Sequence, residues 1–322
     1  MRAVVCREFG ADLAIEERPD LEAQPGQVVI AVTAAGLNYV DALFVRGEYQ
    51  IKPSLPFVPG GEAAGRIVAV GEGVEGLAEG DRVLAMTGLG AFAEQVAAGA
   101  AQVSAIPDAM SFGQAAAFIQ SYSTALFSLR ERGRLQAGES VLVLGAAGGV
   151  GRAAVDVGKA LGAKVIAAAS TDEKRAACTA LGADAVIDYG TEDLKSRARV
   201  LAGGGVDVVV DPVGGALAEP ALRAMGYDGR FLVIGFAAGE IPRVPLNQVL
   251  LRNRNVVGVD WGAWMMGHAA EQRALLDELL AWVAKGRLHP SEPTPYPMSE
   301  VARALDDLLN RRVNGKAALL PG

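Results

Sequence analysis

Metal-ligating side chains are nearly absent from this sequence. Its 322 residues hold two cysteines, Cys6 and Cys178, and two histidines, His268 and His289. Scattered so widely, they supply no four-cysteine zinc site, no iron–sulfur ligand set and no disulfide framework. So low a thiol content suits a reducing cytoplasm. Runs of lysine or arginine are missing too, and 30 basic against 37 acidic residues leave a net charge of −7. That balance repels phosphate backbones and speaks against nucleic acid as a partner. Long apolar runs are also lacking. Met1 to Glu8 include no hydrophobic region of signal-peptide length. The longest uncharged stretch, Ala109 to Leu129, is broken by Ser111, Gln114, Gln120, Ser121, Ser123, Thr124 and Ser128. It reads as buried helix, and no membrane contact is expected.

Apolar residues make up 51% of the chain, enough for about two cores at this length. Glycine is in excess, at 40 residues without a Gly-X-Y repeat, which points to tight turns and close backbone approaches. Up to about residue 110, short β-like runs such as Val28–Val32 and Arg66–Val70 alternate with Pro53, Pro56, Pro59, Gly60 and Gly61. This region reads as an irregular, barrel-like β domain. From about 120 to 260, strands and helices alternate. Ser140–Gly145, Lys164–Ala168, Ala185–Asp188, Val206–Asp211, Arg230–Gly235 and Val256–Val259 are the expected strands of a parallel sheet covered on both faces. Two amphipathic helices follow, over about 269–285 and 299–312. Ala317–Leu320 is expected to be a last strand that returns to the first domain.

Directly after the first strand of the repeat comes Gly145-Ala146-Ala147-Gly148-Gly149-Val150-Gly151, followed by a helix. This is a dinucleotide fingerprint with Ala146 at the first glycine position. Gly148 lets backbone approach a pyrophosphate, Gly151 lets the helix pack on the sheet, and the helix N-terminus offers N–H groups to phosphate. Ala147, Gly149 and Val150 complete the cofactor turn. An NAD site usually ends its second strand on Asp or Glu, which binds the ribose 2′-OH. Here Ala168-Ala169-Ser170-Thr171 stand there, with Lys174, Arg175 and Tyr189 close by. The expected cofactor is NADPH, and Asp172 leaves room for NAD.

Several segments together resemble the zinc-free, zeta-crystallin-like quinone oxidoreductases of the medium-chain dehydrogenase/reductase superfamily. They are Gly36-Leu37-Asn38-Tyr39-Val40-Asp41, Pro56 to Gly65, Gly80-Asp81-Arg82-Val83, Ala146 to Gly151, and Asp211-Pro212-Val213-Gly214-Gly215. The resemblance implies an α/β protein. A GroES-like β-rich catalytic domain would span 1–120, completed by 265–322. A Rossmann doubly wound parallel sheet would span 121–264, with the active site in the cleft between the two. Zinc-dependent relatives have a ligating cysteine where this chain has Asn38, and histidine where it has Gly61. Without a Lewis acid an alcohol's pKa stays high, so reduction of an already conjugated acceptor is the expected chemistry.

The resemblance also implies roles. Asn38 would donate to an acceptor oxygen, or cap its own turn. Tyr49 would give a proton, or stack on a flat substrate. Thr124 would face the nicotinamide, or act as a core hydroxyl. Gly235 and Phe236 at the fifth strand's end, and Arg311 or Arg312 near the C-terminus, would reach the cofactor. Glu62 would hold an arginine such as Arg82, and neither it nor Asp41 is expected to transfer a proton. Trp261 and Trp264 would line an acceptor pocket, or serve packing. The implied activity is cytoplasmic, homodimeric NADPH:quinone reduction without metal. The alternatives are reduction of α,β-unsaturated carbonyls or enoyl thioesters, and cofactor binding without turnover.

Overall fold

The structure, a computed structural model, describes all 322 residues and divides them into two compact units. The first contains residues 1–120 and 290–322, and the second residues 121–289. In chain order the first begins with β1 (Arg2–Val5), β2 (Ala14–Glu17), β3 (Gln27–Leu37), α1 (Tyr39–Arg46), β4 (Glu62–Val70), β5 (Arg82–Met86), β6 (Gln95–Gly99), β7 (Val103–Ala105) and α2 (Phe112–Ala116).

β3 is the spine of this unit. It pairs antiparallel with β4 along most of its length and with β6 over Gln27–Ala31. Val28, Val29, Ile30, Ala34, Ala35 and Leu37 are all buried, so β3 is covered on both faces and shows no strict alternation. α1 follows immediately and is closed by Gly47 in the left-handed conformation. This places residue 38 at a helix N-terminus, against the start of β4.

The second unit holds α3 (Ile119–Leu126), whose first turn spans the boundary, β8 (Ser140–Val143), α4 (Gly149–Ala160), β9 (Lys164–Ala169), α5 (Asp172–Ala180), β10 (Ala185–Asp188), α6 (Leu194–Leu201), β11 (Val206–Asp211), α7 (Ala218–Ala224), β12 (Met225–Val233), α8 (Leu246–Leu250), β13 (Asn255–Gly258), α9 (Trp261–Gly267) and α10 (Ala269–Ala284). The strand order is β10-β9-β8-β11-β12-β13, all parallel. It reverses direction between β8 and β11, the switch point at which such sheets bind ligands. Val141, Leu142, Val143, Val208, Val209 and Val210 on the two central strands are fully buried.

The chain then re-enters the first unit through β14 (Thr294–Pro297), α11 (Val301–Leu309) and β15 (Ala317–Leu320). β15 lies between β14 and the end of β3, as the sequence leads one to expect of a terminal strand needing a sheet.

Two expectations are revised. The returning segment starts at Pro290 rather than at 265. α10 is tied into the second unit by Arg130–Glu278 at 2.6 Å, Trp261–Gln272 at 2.7 Å and Gln272–Ser123 at 3.3 Å. The uncharged stretch 109–129 is not one helix: α2 stops at Ala116, and α3 gives way to a π-helical turn at Phe127–Arg132. No helix is long and apolar enough to cross a membrane.

Candidate active site

In the second unit the turn after β8 is shaped by two kinds of glycine. A Cβ on Gly151 would fall 2.2 Å from the carbonyl oxygen of Gly145, so close packing of α4 on the turn excludes any side chain there. Gly148 differs. Its φ of −77° is open to all residues, and a Cβ there would meet only the Gly145 oxygen, at 3.4 Å. The fold itself does not require glycine at 148. Gly148 is the N-cap of α4, and no side chain caps that helix. The first amides of its 12 residues therefore lack intrahelical partners, a donor set suited to a pyrophosphate.

β9 ends at Ala169, followed by exposed Ser170. Thr171 caps α5 through the Lys174 N–H, which sets the Lys174 side chain on the first turn beside Ser170. Arg175 accounts for both neighbouring carboxylates. It bonds Asp172, lies 3.1 Å from Asp188 Oδ2, and donates to the Ala169 carbonyl. Asp172, the residue that leaves room for NAD, is thus held by an arginine. Tyr189 is half-buried just past β10. Gly235 and exposed Phe236 follow β12, with the Gly235 N–H bonded to the Asp211 carbonyl. The carboxylate of Asp211 accepts from Val213 and Gly214 at 2.9 and 2.8 Å. The Asp-Pro-Val-Gly-Gly motif is therefore a turn built around a buried acid, with Gly214 and Gly215 at positive φ. Burial pushes that carboxyl upward.

In the first unit a buried polar cluster surrounds Asn38. Although Asn38 sits at the N-cap of α1, its side chain makes no cap bond. Its Nδ2 donates to Glu62 Oε1 at 2.9 Å, and its Oδ1 accepts from Lys316 Nζ at 2.5 Å. Lys316 also reaches Glu62 Oε1 at 3.1 Å, while Glu62 Oε2 accepts from the Gln120 N–H. Gly36 makes room for this: a Cβ there would come within 2.8 Å of Glu62 Oε1 and 2.1 Å of the Ala116 oxygen. Capping of α1 falls instead to Asp41, whose Oδ2 accepts from the Asn38 N–H at 2.8 Å. Asp41 is wholly buried and its Oδ1 has no hydrogen bond. Burial raises its carboxyl to about 7, against the opposing pull of the Asn38 N–H and the Lys316 charge. No three His, Cys, Asp or Glu side chains gather into a metal-binding group.

Residues 24–108 match the family described as alcohol dehydrogenase GroES-like domain, and residues 149–281 that described as zinc-binding dehydrogenase. Quinone oxidoreductase-like protein 2 of Bos taurus is 38% identical over 99% of this chain and 92% of its own length. The quinone oxidoreductase of Thermus thermophilus, solved also in complex with NADPH, matches at 32% identity and TM-score 0.85, covering 100% of both chains. The Escherichia coli quinone oxidoreductase complexed with NADPH matches at 30% identity and TM-score 0.89, again over 100% of both. This chain belongs to the quinone oxidoreductase-like medium-chain dehydrogenase/reductases.

In this quinone oxidoreductase-like chain, the remaining expected residues fall as follows. Tyr49 is half-buried with its ring edge-on to Phe44, centroids 5.1 Å apart. Thr124 is buried in α3, where its carbonyl accepts from Ser128 Oγ. Trp261 is buried and donates to Gln272. Trp264 stacks on His268 and packs against Phe127. Arg312 is held by Asp306 and Asp307, while Arg311 is exposed at a φ of 58°. Glu62 does not hold Arg82, which bonds the Met110 and Asp108 carbonyls instead. The residue that sequence reasoning missed is Lys316. Its signal lay in Gly315-Lys316 heading an apolar terminal strand: a lysine entering a sheet needs a buried counter-charge.

Proposed function

We propose that this chain is an NADPH-dependent oxidoreductase that reduces quinones, with no metal taking part. Bound NADPH supplies the hydride. The amides of Ala147, Gly148, Gly149, Val150 and Gly151 receive the pyrophosphate. Ser170, Lys174 and Tyr189 meet the 2′-phosphate, with Arg311 as a further cation; Gly235 and Phe236 border the cofactor, and Thr124 lies at the nicotinamide. An amide at 38 and a glycine at 61 offer neither thiolate nor imidazole to a zinc ion, which supports a mechanism free of a Lewis acid.

The observation that carries the reading is the diversion of the Asn38 amide from capping. Held by Glu62 and Lys316, it keeps one Nδ2 hydrogen outside the cluster. That hydrogen donates to the acceptor's oxygen and stabilises the negative charge that develops there as the hydride arrives. The quinone gains the hydride and one proton from water, giving the hydroquinone. Oxygen-bound protons exchange rapidly with solvent, so no positioned carbon acid is needed. Tyr49, fixed against Phe44, flanks the acceptor's flat face. In the competing reading, reduction of enones or enoyl thioesters, the same phenol protonates carbon.

We place the protein in the cytoplasm, where its two buried, unpaired cysteines remain reduced. We further propose a homodimer through β13. That strand ends the parallel sheet, and Ile241, Leu246, Leu250 and Val256 are exposed on and before it. The test is NADPH consumption with naphthoquinone, phenanthrenequinone, an enone and an enoyl-CoA. Quinones should react fastest. A faster enoyl-CoA overturns the substrate reading, and no NADPH consumption with any acceptor overturns the enzymatic one.

A further inference from the structure

We infer that Lys316 is a positioning residue that locks and polarises the Asn38 amide as a hydrogen-bond donor. The inference rests on the reading of Asn38 given above.

An asparagine amide has two faces that differ only in which atom is oxygen, and on its own it can rotate between them. Here the choice is forced. Lys316 Nζ carries donors only and stands 2.5 Å from Oδ1; Glu62 carries acceptors only and stands 2.9 Å from Nδ2. Rotation by half a turn would set NH2 against ammonium and oxygen against carboxylate. Lys316 and Glu62 are themselves joined at 3.1 Å, with side chains 11% and 1% exposed, so the pair is a buried, charge-assisted clamp. The Gln120 N–H on Glu62 Oε2 fixes the carboxylate in turn.

The clamp uses one Nδ2 hydrogen and leaves the other in a defined direction. It also draws electron density toward Oδ1. That pull offsets the opposite push of the Glu62 carboxylate on Nδ2, so the remaining N–H keeps a donor strength that it would lose without the lysine. The positive charge thus acts on the acceptor's oxygen through the amide. The chain places this lysine by a long-range device: Lys316 immediately precedes β15, whose Ala317 is registered against Leu37. The last strand and the start of α1 therefore meet at one point.

The test is a double-mutant cycle between Lys316→Met and Asn38→Ala, with phenanthrenequinone as acceptor and NADPH affinity measured separately. If Lys316 works through Asn38, Lys316→Met lowers kcat about 10-fold or more, within the range for a disturbed oxyanion donor, and leaves NADPH affinity within about twofold. Lys316→Arg restores most of the rate. In the Asn38→Ala background, Lys316→Met then costs almost nothing further. Multiplying losses overturn the inference, as does a Lys316→Met enzyme at the parental rate. If Asn38→Ala alone keeps the parental rate, the reading of Asn38 fails, and the inference with it. Should Lys316→Met not fold because Glu62 is left as a lone buried charge, the pair Glu62→Gln/Lys316→Met removes both charges. It carries the same expectations.

Discussion

Lys316 Nζ lies 2.5 Å from Asn38 Oδ1, although 278 positions separate the two residues along the chain. The contact converts a helix-capping asparagine into a donor with a fixed orientation. Removing the donor should therefore be felt in turnover. Asn38→Ala is expected to lower kcat about 10²-fold, with NADPH affinity unchanged by calorimetry. A variant within threefold of the parent would remove Asn38 from the chemistry.

The glycine turn predicts two different failures. Gly148→Val should fold, because its φ is ordinary and its Cβ would meet only one oxygen at 3.4 Å, yet it should lose NADPH binding. Gly151→Val should not fold stably, since its Cβ would fall 2.2 Å from the Gly145 oxygen. Circular dichroism and cofactor titration on both variants check the contrast. Normal NADPH binding by Gly148→Val would place the cofactor elsewhere.

At the end of β9, Lys174→Ala should weaken NADPH and spare NADH. A charge-assisted bond to the 2′-phosphate contributes roughly 1.5–3 kcal/mol, or about 10- to 150-fold in affinity. The backbone N–H of Lys174 that Thr171 caps is untouched by the change. Equal losses for the two cofactors in calorimetry would sink the assignment.

Asp41 gives the fold a pH dependence of defined sign. Its carboxyl titrates near 7 in the folded chain and near 3.8 as a free side chain. The folded state holds this proton more tightly, so stability is greatest at low pH from this group, declines as pH rises from about 4 to about 7, and is flat above. Asp41→Asn keeps an oxygen for the Asn38 N–H and removes the titration. Urea unfolding at pH 5 and pH 8 should show a smaller difference for this variant than for the parent. An unchanged or larger difference would assign the effect to other groups.

Tyr49→Phe separates the two acceptor classes. The ring contact with Phe44 survives and only the phenolic proton goes. Quinone reduction should keep most of its rate, while Tyr49→Ala loses acceptor affinity. A positioned acid accelerates protonation at carbon by about 10²–10⁴-fold. Abolished enoyl-CoA turnover in Tyr49→Phe, with enoyl-CoA the parent's fastest substrate, would reverse the assignment.

The parallel sheet was legible because its signals are local. Six short apolar runs, a glycine turn after the first, and helices between them each depend on neighbours within a few residues. Gly182 and Gly286 ending their helices at positive φ are of the same kind. The boundary near 290 was not legible. The apolar face of α10 says that it must be covered, but Arg130 and Ser123 say by which unit, and they lie about 150 positions away. The site was half legible for the same reason. Asn38 and Glu62 stand out in their loops, but that Glu62 would face Lys316 rather than Arg82 depends on how β15 is registered against β3. The role of Asp41 as the cap of α1 follows only once Asn38 is occupied elsewhere.

The discontinuity of the first unit sets an order of events during synthesis. Residues 121–289 form one uninterrupted stretch and can fold as soon as they emerge. Residues 1–120 emerge earlier but must wait, because the end of β3, paired with β4 on one edge, has no partner on its other edge until β15 is made. Until then the edge of β3 carries unpaired backbone groups, and Glu62 lacks its counter-charge. The first unit, although most of it is translated before the second, is thus the last to be completed, and a chain cut short before residue 316 would have all of residues 121–289 and no lysine on Asn38.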